Sequence, residues 1–129
     1  MADWRRLLSV LIAAAVPMAV HAQVLGFPFV SFDDPVYVAE SPFYGPGVSL
    51  TELLLTPQLG YPIPVTVAAY RLVEAVFGVE TWAFHGLNWL LHAGAGLLLF
   101  LFLERLLDRR RALLGSLLWS LHPLAVEPV

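Results

Sequence analysis

The chain contains no cysteine and no lysine, and only 13% of its 129 residues are charged. The lack of cysteine excludes disulfides, thiolate metal sites and thiol catalysis. The shortage of charge, with 59% hydrophobic residues and a mean hydropathy of +0.76, points to a membrane protein, because soluble domains carry roughly 25% charged residues. The seven basic residues are all arginines and are segregated. Arg5 and Arg6 stand near the start, Arg105, Arg109, Arg110 and Arg111 stand together further on, and Arg71 alone lies between. They flank apolar runs and do not interleave with aromatics, which argues against a nucleic-acid surface.

The longest charge-free stretch is TWAFHGLNWLLHAGAGLLLFLFL, residues 81–103. As a helix it is about 33 Å long at about 1.5 Å per residue, enough to cross a bilayer core. Thr81 suits its N-cap, and charges follow its end from Glu104. Its polar side chains His85, Asn88 and His92 fall in the first half at spacings that share one helix face. Such a face should meet protein or water, and interhelical hydrogen bonding is the plainer account of it.

An apolar run at 7–20 follows Arg5 and Arg6 and has two readings. Val20-His21-Ala22 resembles a signal-peptidase site. Alternatively the run is a first span over about 7–29, kinked at Pro17, and its apolar continuation through QVLGFPFV favours this retained anchor. A third span is expected over 112–129, bending or stopping before Pro123. The fold class expected is an all-α membrane protein, with three transmembrane helices in one membrane domain that forms the N-terminal part of a larger helical bundle. The expectation that the chain is a fragment comes from its close directly after Pro128.

The arginine bias places the N-terminus and the 104–111 loop in the cytoplasm and the 30–80 loop outside. That loop holds six acids against Arg71. Ser49-Leu50-Thr51-Glu52 reads as a capping box opening a short helix stopped by Pro57. Pro64 then begins a second helix over 65–77, ending at Gly78. It is too short to span, which leaves a place at the membrane surface or packed on the bundle.

This topology brings polar residues from three segments to the outer side: Asp33 and Asp34 after the first span, His85, Asn88 and His92 in the second, and His122 and Glu127 in the third. Paired carboxylates at Asp33-Asp34 suit a general base or oxygen ligands to a divalent cation, and equally suit a turn before Pro35. His85, His92, His122 and Glu127 match no compact zinc spacing. Hydrogen bonding and lipid-phosphate contact fit them better, and no metal site is assigned.

Three ordered motifs carry a family resemblance: FVSFDDPVYVAES at 29–41, FHGLNWLLH at 84–92 and LHPLAVEPV at 121–129. They resemble the N-terminal part of multi-spanning C-superfamily glycosyltransferases, specifically bacterial relatives of transmembrane tetratricopeptide-repeat O-mannosyltransferases. The resemblance implies a polyprenyl-phosphate sugar donor, a protein or glycan acceptor, and an active site on the extracytoplasmic face of the bacterial inner membrane. It makes Asp33 or Asp34 the catalytic base and His85, Asn88, His92, His122 and Glu127 substrate-binding residues. GYPIPVTVAAYR at 60–71 departs from the family's more usual Tyr-Arg-Pro-type motif. The competing expectation is a small membrane protein with a structural or assembly role, in which the polar face only packs helices.

Overall fold

The computed structural model describes residues 3–30, 34–39, 41, 48–57 and 60–126. Among them the regular elements are all helical: α1 (Trp4–His21) running into a 3₁₀ turn (Ala22–Gly26), a π turn (Pro35–Ala39), α2 (Leu50–Leu55), α3 (Pro64–Phe77), α4 (Thr81–Leu103), α5 (Arg109–Ser120) and α6 (Pro123–Val126). Two continuous helical stretches, Trp4–Gly26 and Thr81–Leu103, are long and apolar enough to cross a membrane. Contacts divide the chain into two compact units, residues 1–25 with 85–129, and residues 26–84.

In the first unit, local signals set the helix ends. The Asp3 carboxylate accepts from the backbone N–H groups of Arg5 and Arg6, and Asp108 does the same for Arg110 and Arg111. Both acids cap donors that an α-helix leaves unpaired at its start. Pro17, inside α1, has no N–H to offer the carbonyl of Ala13. That carbonyl faces Gly96 of α4, where an added Cβ would come within 4.0 Å of it. The same Cβ would lie 3.1 Å from Ser120 Oγ and 3.3 Å from Ser120 Cβ, so glycine lets α4 and α5 approach closely. Ala13, Phe100 and Ala112 form the buried core, with Val10, Leu97, Leu101, Leu103 and Leu113 packed round it. Phe100 is fully enclosed, with small residues of α1 and α5 making room for its ring.

Among the described residues the third apolar stretch is not one continuous helix. α5 has 12 residues, about 18 Å of helix, which falls short of a bilayer core of about 30 Å. The break lies where proline was expected to place it. Pro123 cannot donate to the Trp119 carbonyl, which instead accepts from His122 N–H at 3.1 Å. α6 then starts afresh at Pro123. The start of α4 also differs in detail from expectation: the Glu80 carbonyl accepts from Ala83 N–H at 3.0 Å and Phe84 N–H at 3.4 Å, so the cap lies one residue before Thr81.

In the second unit, the Ser49 hydroxyl accepts from Glu52 N–H at 3.0 Å, the bond that the capping pattern predicts. Pro64 occupies the first turn of α3, and Gly78 closes that helix at φ +74°, a left-handed conformation that favours glycine, donating to the Glu74 carbonyl at 2.8 Å. Val67 is buried with Val48, Ile63 and Ala68 against it. Phe84, in the first turn of α4, meets Phe29 and Tyr70 edge-to-face at centroid distances of 6.0 and 5.3 Å. Arg71 and Glu74 form an ion pair along α3.

Candidate functional site

The chemistry-bearing cluster that the structure defines most fully is the junction of α1, α4 and α5. Its centre is a backbone carbonyl. Ser120 ends α5, and the donor its C=O would meet in a longer helix, Leu124 N–H, turns to His122 Nδ1 at 3.3 Å. Imidazoles from two other segments take its place. His21 Nε2 lies 3.1 Å and His92 Nε2 lies 2.8 Å from Ser120 O. A carbonyl can only accept, so both nitrogens carry a proton, and in the neutral rings each Nδ1 is left as the acceptor.

The rings also pack. His21 and His92 meet edge-on with centroids 5.5 Å apart, and His92 stacks on Trp119 at 5.4 Å and 22°. Each histidine is only 8% exposed and Ser120 is fully buried. The Ser120 hydroxyl donates to the Ser116 carbonyl, and Trp89 Nε1 donates to Met18 O at 3.0 Å. An α-helix concentrates partial negative charge at its last carbonyls, so N–H donors there are favourable even in neutral rings.

Of the residues singled out in the sequence, His92 lies at this centre. His85 and Asn88 follow the same side of α4 towards its start and are half-buried. His122 is exposed, on an open depression of about 410 Å³ lined also by Leu118, Trp119, Leu124 and Ala125. Trp119 thus links the two histidines, stacking on His92 while sharing the depression with His122.

Asp34 belongs to the other unit and is half-buried. Its Oδ2 accepts from Val30 N–H at 2.7 Å. This is the local turn bonding to which aspartate is suited. Asp33 and Glu127 lie outside the described residues. Among the described residues, no three of His, Asp and Glu gather into a set that could hold a metal ion.

A second polar cluster ties the starts of α1 and α5 to the end of α4. Glu104 accepts from Arg6 Nε at 3.0 Å and from Arg109 Nε at 3.2 Å, and Arg109 also pairs with Asp3. The hydrogen bond from Arg109 holds the Asp3 carboxyl below its ordinary pKa, and the same bond raises that of Arg109.

His21, Ser120 and Trp119 were not picked out by sequence reasoning as site residues. The usable signals were a histidine inside an apolar run and the stop imposed by Pro123, which leaves carbonyls of the preceding turn open.

Comparison of the chain with models of known families, with curated proteins and with solved structures finds no match.

Proposed function

We propose that the chain belongs to the membrane part of an extracytoplasmic glycosyltransferase, which moves a sugar from a polyprenyl-phosphate donor to a protein or glycan acceptor. The observation that carries this reading is the occurrence of three motifs in one order: FVSFDDPVYVAES after the first span, FHGLNWLLH in the first half of α4, and LHPLAVEPV where α5 gives way to α6. The arginine distribution supports the orientation in this reading, with the 30–80 loop outside, and the bacterial inner membrane is the location that the resemblance implies. The segment after α5 completes a third crossing in this reading, by way of the bend at Pro123.

In the reaction, a carboxylate of the Asp33-Asp34 pair takes the proton of an acceptor hydroxyl as its oxygen attacks the anomeric carbon. The bond from that carbon to the lipid phosphate breaks, and the phosphate leaves with the bonding electrons. With Asp34 Oδ2 engaged by Val30 N–H, Asp33 is the preferred base and Asp34 the residue that shapes its loop. His122, on its open depression, is the histidine best exposed for contact with a lipid phosphate. His92, buried against Ser120 and Trp119, supports the neighbouring wall.

The test is sugar transfer from a polyprenyl-phosphate donor in membranes that hold the complete gene product. Asp33→Asn should lower the rate by about 10²–10⁴, the range for loss of a general base, with insertion unchanged. Asp34→Asn keeps an acceptor for Val30 N–H and should retain more activity than Asp34→Ala. Retention of more than about half the rate by both Asn variants lies far outside that catalytic range and would overturn the assignment.

A structural or assembly role without catalysis is the second reading. It is favoured by one observation: His21 and His92 both spend their Nε2–H on the Ser120 carbonyl inside the helix junction. It predicts no transfer activity in any variant, wild type included.

A further inference from the structure

We propose that the arginine-rich end of the first unit is a binding surface for anionic phospholipid head groups. The inference rests on reading α1 and α4 as membrane spans. Six arginines (Arg5, Arg6, Arg105, Arg109, Arg110 and Arg111) stand at this end against three acids, Asp3, Glu104 and Asp108, leaving three positive side-chain charges. The ion pairs that join Asp3, Arg6, Glu104 and Arg109 show that the start of α1, the end of α4 and the start of α5 come together there.

Every acid of the cluster is already engaged. Asp3 caps α1 and pairs with Arg109, and Glu104 bridges Arg6 and Arg109. Asp108 caps α5 and pairs with Arg111. Arg5, Arg105 and Arg110 are exposed and have no acidic partner among the described residues. They come from three segments: the first turn of α1, the turn after α4 and the first turn of α5. The surplus is therefore built into the folded surface and is not a property of one flexible tail.

The position of this surface chooses the anion. It lies where two apolar stretches, Trp4–Gly26 and Thr81–Leu103, begin and end. In a membrane those ends lie at head-group depth, where lipid phosphates are the prevailing anions. Trp4 is 65% exposed, and the Arg5 guanidinium stands 5.5 Å from the centroid of its ring. An indole at the interface with a cation over its face suits that depth, and guanidinium groups match phosphate oxygens in a two-pronged geometry. Negatively charged leaflets attract basic clusters placed beside a span, within about a Debye length of the surface.

The experiment reconstitutes the whole chain in nanodiscs of phosphatidylcholine alone and of phosphatidylcholine mixed with phosphatidylglycerol. Thermal unfolding is followed by circular dichroism, and retained lipid by native mass spectrometry. The expected result is a higher midpoint in the mixed discs, weakened by salt, with phosphatidylglycerol retained on release from the disc. Arg5→Gln, Arg105→Gln and Arg110→Gln should each lower the preference for phosphatidylglycerol about fivefold, the scale of one basic residue at an anionic surface. Lysine at the same positions should keep most of it. Equal midpoints in both discs, or unchanged lipid retention in the triple Gln variant, would overturn the proposal. So would equal stabilisation by inorganic phosphate in phosphatidylcholine discs, which would make this a phosphate site with no preference for lipid. Failure of the chain to enter either disc would instead overturn the membrane reading on which the proposal rests.

Discussion

His21 and His92 reach the same atom: their Nε2 nitrogens lie 3.1 and 2.8 Å from the carbonyl oxygen of Ser120. One acceptor with two lone pairs is thus filled by donors from two helices, and the end of α5 is held to both.

The first prediction concerns this shared acceptor. His21→Phe or His92→Phe removes one donor, keeps an aromatic ring, and leaves the carbonyl the other imidazole. Removing both leaves a buried carbonyl without a partner, which costs about 1–3 kcal/mol beyond the single losses. The double variant should therefore be less stable than the sum of the singles predicts. Unfolding of the four species in one detergent gives the coupling energy directly, and additive losses would show that the two bonds do not share a role.

Gly96 gives a second prediction. A methyl group there would stand 3.1 Å from Ser120 Oγ and 3.3 Å from Ser120 Cβ, on the buried side of two packed helices. Gly96→Ala should destabilise by about 1–3 kcal/mol, the usual range for overpacking a tight contact. The conformational gain from replacing a helical glycine, about 1 kcal/mol, works the other way and sets the lower end of that range. Combining it with Ser120→Gly removes both contacting atoms and should recover most of the loss. Thermal midpoints of the single and double variants decide the matter.

Orientation gives the third prediction. With six of the seven arginines at the end shared by the starts of α1 and α5, that end should face the cytoplasm and the 30–80 loop should face outward. The chain has no native cysteine, so single cysteines at Ser49 and at exposed Leu106 can be introduced without background. An impermeant maleimide added to intact cells should label the first and spare the second. Labelling of Leu106→Cys alone would reverse the topology.

The parts of this fold that are legible in the sequence are those set by local chemistry. The bounds of α4 coincide with the charge-free stretch, which is as long as a helix that crosses a bilayer core. The Ser49 cap and the Gly78 stop follow from side chains acting on their own turns. The Ser120 junction is not legible in the same way. Its acceptor is a backbone group with no residue signature, and His21 meets it 99 residues away. His21 also sits in a tripeptide that reads as a processing site, which masks a buried role. The stop of α5 is legible for the same local reason as the Ser49 cap and the Gly78 stop: Pro123 has no N–H, so the helix ends before it although the sequence stays largely apolar through 121–126.

The last prediction is a pH dependence. Asp3 is joined to Arg109, and that hydrogen bond holds its pKa below the ordinary 3.8 in the folded chain. A carboxyl depressed on folding contributes stability that is present above its unfolded pKa and is lost as pH falls through its folded value. The contribution should thus be intact at neutral pH and fade only below about 4, where the unfolded chain begins to bind the proton. Asp3→Asn removes the charge and with it the linkage, although the amide oxygen still accepts from Arg5 and Arg6 N–H and so preserves the α1 cap. The wild type should be more stable than this variant at pH 7, and the two midpoints should converge as pH falls below that window. The difference should also shrink with added salt, because the pair is exposed. A wild-type advantage that persists undiminished at pH 2 cannot come from the Asp3 charge. It would assign the effect to the shape of the cap and leave Glu104 as the sole acidic partner of Arg109 that matters to the junction.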